Sequence, residues 1–377
     1  MAKFGKKNEI NLNPLAYNIG LLGESGIGKS TIIKQVCEKL VGEEGYISLD
    51  IGKEDGHKAI SGIITESVPD WGAFAEIVDD IVENKDSDYP NLKVIVIDTY
   101  DQLCDLAEKE ALRLYNRKLQ GTDKPKADTI NAAWGGFGKG LDKTIELMLD
   151  KLWALKSVGV SFIIIAHVKR TDITDVMTEE QYSMLTSNTT QKYFNAIKTK
   201  LDFLGMAYID RDLVKYKTKK KDNTGKEIEK NKITAESRVI NFRDDTYSVD
   251  SKCRFADIVD KIPFDADAFI KAMQDAIMAE QKHDGISVAD ATKKQKTEAK
   301  EAAKVATENS AKARAKKLED ELEENRDNYI AIIQEKFQDA DADIKKKAKE
   351  LLASSGVKKF TDPDLGIIIL KEIAELF

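Results

Sequence analysis

Between residues 17 and 262, short apolar runs alternate with stretches whose apolar residues recur at helical spacing. The runs YNIGLL (17–22), GYISLD (45–50), LKVIVID (92–98) and VSFIIIA (160–166) predict short strands, several of them apolar enough for burial on both faces. Helical patterns over 29–40, 71–84, 100–119 and 137–157 lie between them. Strand and helix in turn predict an α/β domain with a mainly parallel sheet. Beyond Leu201 the texture changes to DFLGMAYIDRDLVKYKTKKKDNTGKEIEKNKITAESRVINF, whose alternation around Asn223-Thr224-Gly225 predicts an antiparallel β-hairpin with a lysine-rich tip.

A helix is predicted over 265–280, closing the core. Residues 281–327 carry Ala, Lys and Glu without an apolar stripe and suit either a solvated single helix or a disordered tether. Apolar spacing returns at Tyr329, Ile330, Ile333 and Phe337, and again at Leu351, Leu352 and Val357. Gly356 suits the end of one helix, and Asp362-Pro363 suits the start of another. The expected organisation is therefore a tail (1–12), an α/β core (13–262), a closing helix (263–280), a charged linker (281–327) and a small helical module (328–377).

Composition changes this picture little. The chain of 377 residues carries a net charge of −7, so any nucleic-acid contact has to come from local basic clusters. Its three cysteines, Cys37, Cys104 and Cys253, are far apart and suit a reducing cytoplasm better than a disulfide framework. MAKFGKKNEI has no apolar leader pattern, and SFIIIA is far too short to span a bilayer, so a cytoplasmic protein without a membrane partner is expected.

Gly23-Glu24-Ser25-Gly26-Ile27-Gly28-Lys29-Ser30, followed by Thr31, fits G-x4-G-K-[ST] between a predicted strand and a predicted helix. Its glycines let backbone N–H groups turn inward around phosphates, Lys29 reaches the β/γ oxygens and the Ser30 hydroxyl holds Mg²⁺. ATP with Mg²⁺ is the expected cofactor. Asp98 ends the apolar run KVIVID, where a carboxylate beside the loop supports the metal; helix capping is the plainer alternative. His167 emerges at the end of IIIAH, where α/β sites form, and suits a γ-phosphate sensor. Glu54, in the Gly-flanked loop after the second strand, is preferred over Asp50 for orienting the attacking water.

The order of these parts resembles the RecA-like ATPase core. More closely, GESGIGKST, VIVIDTYDQL, WGGFGKGLDKTI, FIIIAHVKR and SKCRFADIV resemble phage-encoded RecA-like ATP-binding proteins, which include ATP-dependent single-strand annealing proteins of phage recombination. The resemblance covers about 13–262. It implies a P-loop NTPase core, phosphate binding by Gly23 to Thr31, Mg²⁺ support by Asp98 and γ-phosphate sensing by His167, where RecA has glutamine. It also implies assembly into a homo-oligomeric ring or filament, within the host cytoplasm if the chain is phage-encoded.

RecA-type cores bind DNA through the segments around the sensor strand. Here NAAWGGFGKG offers Trp134, Phe137 and Lys139, and the segment after His167 offers Lys169 and Arg170. Aromatic rings stack on unpaired bases and lysines meet phosphate. The alternative for Trp134 and Phe137 is a plug at the sheet edge. Residues 215–232 carry eight lysines, Lys219, Lys220 and Lys221 among them, against Asp222, Glu227 and Glu229, a local charge of +5. A solvated tip, a phosphate-backbone contact and a group reaching a neighbour's nucleotide all fit that charge; Lys215, Lys217, Arg238 and Arg254 are further candidates for the last role.

Three functions follow from these readings. The first is a recombination ATPase that binds and anneals single-stranded DNA, its C-terminal module meeting a single-strand binding protein. The second is a helicase or helicase loader. The third is a nucleotide-locked scaffold without turnover.

Overall fold

Strands β1 (Ile19–Gly23) and β4 (Val94–Asp98) are buried at every position, and β5 (Ser161–Thr174) is buried from Phe162 to Ala166. Strands of this kind need cover on both faces. The computed structural model describes residues 10–53, 56–174, 181–221, 227–243, 249–283, 297, 325–357, 359–362 and 365–377; for 212–221, 227–233 and 282–283 it describes the backbone path alone. The chain divides into two units, Met1–Lys85 with Asn91–Ala299, and Asp86–Pro90 with Lys300–Phe377.

In the first unit, β2 (Tyr46–Ile51), β3 (Thr65–Val68), β7 (Phe203–Lys221), β8 (Glu227–Asn241) and β10 (Lys261–Pro263) complete a sheet ordered β10-β8-β7-β1-β5-β4-β2-β3. From β7 to β3 the pairing is parallel, as the sequence predicts. β8 and β10 add antiparallel pairs at one edge, and the short β9 (Lys252–Cys253) pairs with β7. Helices α1 (Lys29–Val41) and α6 (Ala266–His283) cover one face. Their Ile33, Val36, Phe269 and Met273 join Ile19, Leu21, Val96 and Ile163 in one cluster. Burying each Ile or Val stabilises the fold by about 1.5–3 kcal/mol.

The other face is covered by α2 (Trp71–Glu83), α3 (Tyr100–Lys118) and α4 (Lys139–Ser157), where Trp153 of α4 packs on Phe162 of β5 at 5.8 Å between ring centroids. Asp70 caps α2 by accepting from the Ala73 N–H, and the Thr99 hydroxyl caps α3 by accepting from the Gln102 N–H. A short α5 (Gln191–Lys198) precedes β7.

Two strands outrun the sheet. The sequence predicts a strand ending at Ala166, but β5 continues to Thr174 as one antiparallel arm with β6 (Gln181–Ser187). The extension is missed because its polar residues pair outside the core. β7 passes Ala207 and pairs with β8 as far as Lys221. That is the predicted hairpin, and its turn at 222–226 lies outside the described residues.

The second unit packs α7 (Arg326–Lys336), α8 (Ala342–Ser354) and α9 (Ile367–Glu375) around Ile333, Ala348, Leu370 and Ile373. Gly356, at φ 78°, follows α8 as expected of a helix end. The Asp362-Pro363 signal does not start a helix at that point. The Asp362 carbonyl accepts from the Leu365 N–H in a turn, α9 begins at Ile367, and Pro363 lies outside the described residues. A groove of about 310 Å³ in this unit is floored by Phe337, Leu352 and Phe360 and lined by Lys349 and Lys359. Of the predicted linker 281–327, only 281–283, 297 and 325–327 are described. Among the described residues no helix is long and apolar enough to cross a membrane.

Burial decides the reactivity of the thiols. Cys37 and Cys104 are buried, and burial pushes both thiols up; the half-buried Cys253 is pushed up to about 11. Because the thiolate is the reactive form, all three should react with a disulfide reagent at pH 8 on the order of 100-fold more slowly than free cysteine. Three equivalents should appear on denaturation. Rapid labelling of one thiol in the native protein would contradict this burial.

Candidate functional site

Strand β1 ends at Gly23, and the next five residues turn back before α1 begins at Lys29. The turn needs Gly26 at φ 75° and Gly28 at φ 106°, conformations that side chains with a Cβ rarely adopt. Gly28 caps α1 without a side chain, which leaves the helix's positive end open toward the loop. The Lys29 ammonium is buried beneath the loop and donates to the carbonyls of Gly23 and Glu24, both at 3.0 Å. A phosphate in the concavity offers this cation a charged acceptor in place of two neutral ones. On the far side, Arg238 Nη1 of β8 donates to the Ile27 carbonyl at 3.3 Å, and a Cβ on Gly28 would come 3.4 Å from the Phe264 ring.

The parallel register brings the remaining groups to the same edge. Gly23 of β1 is opposite His167 of β5, and Asp98 of β4 is opposite Asp50 of β2. The Ser30 hydroxyl, on the first turn of α1, donates to Asp98 Oδ2 at 2.5 Å. His167 is held by Asp101 of α3, whose Oδ2 accepts from the His167 backbone N–H at 2.8 Å and lies 3.3 Å from Nδ1. Lys29, Ser30, Asp98 and His167, with Asp50 and His57, line a pocket of about 290 Å³.

The donor set suits magnesium. A Ser hydroxyl and an Asp carboxylate are hard oxygen donors, and Mg²⁺ typically takes one or two protein oxygens beside substrate phosphates and water. No group of three or more His, Cys, Asp or Glu among the described residues would hold an ion by itself. Ser30 and Asp98 are placed to hold Mg²⁺, which would neutralise charge on phosphate oxygens. Lys29 is placed where it could meet phosphates, and His167 lines the same pocket from β5.

His57 was not among the groups expected here. It sits in the single turn Gly56–Ala59 after β2, 5% exposed, with Nε2 2.9 Å from Asp98 Oδ2 and Nδ1 2.7 Å from Thr65 Oγ1. The only signal in the sequence is a histidine within a Gly- and Lys-rich loop, and such a loop reads as solvated. Asp101 was closer to legible, since an acid in a helix's first turn just after a strand is a common supporting group. Asp50 lines the pocket as its position predicts, while Glu54 lies outside the described residues.

The expected nucleic-acid residues separate. Five consecutive residues, Trp134 to Gly138, have φ between 51° and 92°. Trp134 is half-buried: its indole N–H donates to the Ala111 carbonyl at 3.0 Å, its ring meets Tyr115 at 5.7 Å, and Lys118 lies over it at 4.4 Å. Trp134 is therefore packed as the plug alternative supposed, but against α3 and not at the sheet edge. Phe137 does the opposite, standing 102% exposed, and Lys139 beside it is exposed. Lys192 of α5 ties this loop down, donating to the Gly138 carbonyl at 3.0 Å and pairing with Asp142 at 2.6 Å. Lys169 and Arg170 are exposed on the β5–β6 arm. Lys219, Lys220 and Lys221 lie on the far end of β7, 12 to 14 residues beyond the sheet, about 40 Å of extended strand. Arg254 is held by Asp202 and the Thr199 carbonyl.

Comparison with known proteins gives a family match: residues 15–255 match the AAA domain family. No curated protein matches the chain. Among solved structures, an ATPase from the type III secretion system of pathogenic bacteria is similar at 13% identity and a TM-score of 0.31, over 51% of this chain and 51% of that one, so the chain spans about half of its length. A KaiC-like protein from the hyperthermophilic archaeon Pyrococcus horikoshii OT3 is similar at 14% identity and a TM-score of 0.32, over 66% of this chain and 86% of that one. The family match runs from just before β1 to just past β9 and takes in Lys29, Asp98 and His167, and the chain belongs to the AAA domain family of P-loop ATPases.

Proposed function

We propose that this chain is an ATP-hydrolysing recombination protein, of the phage single-strand annealing type, that binds single-stranded DNA while ATP–Mg²⁺ occupies the pocket at Lys29, Ser30 and Asp98. Phe137 carries the nucleic-acid part of the reading: a fully exposed aromatic on a left-handed loop has no packing role in this chain, and an unpaired base offers its ring a stacking partner. Lys139, Lys169 and Arg170 supply phosphate contacts nearby, and Lys219, Lys220 and Lys221 extend that field along the β7–β8 arm. Glu54 orients the attacking water, with Asp50 as the alternative. Assembly into a ring or filament, and a single-strand binding protein meeting the groove of the C-terminal unit, belong to the same proposal.

The nucleotide part is tested by Lys29→Ala, which removes a charge-assisted contact to the β/γ phosphates. ATP affinity measured by calorimetry should fall at least tenfold with an unchanged circular dichroism spectrum. Parent-like affinity would refute the phosphate-loop assignment.

Two aromatic variants should behave differently. Phe137→Ala should leave the melting temperature unchanged and weaken single-stranded DNA binding by about 1–3 kcal/mol in a fluorescence anisotropy titration. Trp134→Ala should instead lower stability by about 2–4 kcal/mol, because it loses a partly buried hydrogen bond and ring packing. Unchanged DNA affinity in Phe137→Ala would remove the stacking role.

Replacing Lys219, Lys220 and Lys221 together with Gln should weaken binding to every DNA sequence alike. The log–log salt slope should flatten by about 0.7 per lost phosphate contact on single strands. A loss of turnover without DNA would move these lysines to a neighbour's nucleotide.

A further inference from the structure

Asp98 Oδ2 receives two contacts of different standing. One comes from the Ser30 hydroxyl, and Ser30 is the group expected to turn its oxygen toward Mg²⁺. A carboxylate oriented by Ser30 alone would lose that restraint as the metal arrives. The second contact, to the same oxygen, comes from His57 Nε2 at 2.9 Å, on the segment after β2 and not on the phosphate loop, so it does not depend on the orientation of Ser30. A carboxylate only accepts, so Nε2 carries the hydrogen of this bond.

The imidazole is itself fixed. Its Nδ1 is 2.7 Å from Thr65 Oγ1, and that hydroxyl is 3.0 Å from the Ser48 carbonyl. Ser48 Oγ lies 3.4 Å from Nε2, and Asp50 Oδ2 lies 3.8 Å from Nδ1. Ser48 and Thr65 are paired residues of adjacent strands β2 and β3. The ring is thus anchored in the sheet on one side and aimed at the metal carboxylate on the other, with its side chain almost wholly out of solvent.

We infer that His57 is the positioning residue of the metal site: it holds Asp98 in the rotamer that receives Mg²⁺. The inference rests on the nucleotide-binding reading and adds a residue to it. Hydrogen-bonded partners of metal carboxylates typically account for 10- to 100-fold in metal affinity. The bond from Nε2 makes the role specific. A glutamine amide spans a length similar to the path to Nε2, and an asparagine amide corresponds to Nδ1 and stops short of Asp98.

The test uses the full chain loaded with ADP, with Mn²⁺ as the probe and free Mn²⁺ read by its electron paramagnetic resonance signal. His57→Ala and His57→Asn should each weaken Mn²⁺ binding by about 10- to 100-fold. His57→Gln should stay within about threefold of the parent, because its amide still donates to Asp98. ADP affinity measured in EDTA should be the same in all four proteins. Equal Mn²⁺ affinity in the parent and all variants would overturn the inference, as would rescue by Asn equal to that by Gln. If His57→Ala fails to fold, the Gln and Asn pair decides. A parent that binds no ADP would overturn the nucleotide reading itself, whereas a parent that binds ADP and Mn²⁺ without dependence on position 57 would overturn the role of His57 alone.

Discussion

Parallel pairing of β1, β5, β4 and β2 is the constraint on which the pocket depends. A parallel ladder fixes which residues of neighbouring strands lie level with one another. Gly23 and His167, and Asp98 and Asp50, are brought to one edge as register partners and not because they attract one another. Three carboxylates (Asp50, Asp98 and Asp101) and two imidazoles in so small a space are costly unless paired. The structure answers with a set of short contacts from Ser30 and His57 to Asp98 and from His167 to Asp101. Electrostatic order at the edge is a consequence of hydrophobic order in the middle of the sheet.

That dependence explains what could be read from the sequence. The central strands and the main helices were legible because continuous apolar runs and helical stripes record burial directly. The phosphate loop was legible because its glycines record backbone shape. β3 was missed, being a four-residue edge strand whose first three residues, Thr65 to Glu66 to Ser67, are exposed. The outer half of β5 was missed because an arm paired only with β6 has no core side to mark it. His57 was missed for a different reason. Its burial depends on Asp98, 41 positions away, and no local pattern carries that information.

The loop from Trp134 to Gly138 shows how two aromatics three positions apart take opposite fates. Both were read as a pair, since aromatic residues among glycines suggest a common face. Five successive residues with positive φ undo that expectation: backbone of this shape follows neither a strand nor a right-handed helix. Trp134 turns in against α3 and Phe137 turns out, and Lys192 pins the segment at Gly138. Side-chain identity was visible in the sequence, whereas direction came from the backbone.

The unbroken run of β5 links the pocket to the β5–β6 arm. Its first half is clamped between β1 and β4, and its second half stands free of the main sheet with β6. His167 is at the junction, and Lys169, two residues on, shares its face of the strand at a distance of about 7 Å. A single strand therefore joins a residue that lines the pocket to the exposed Lys169 and Arg170.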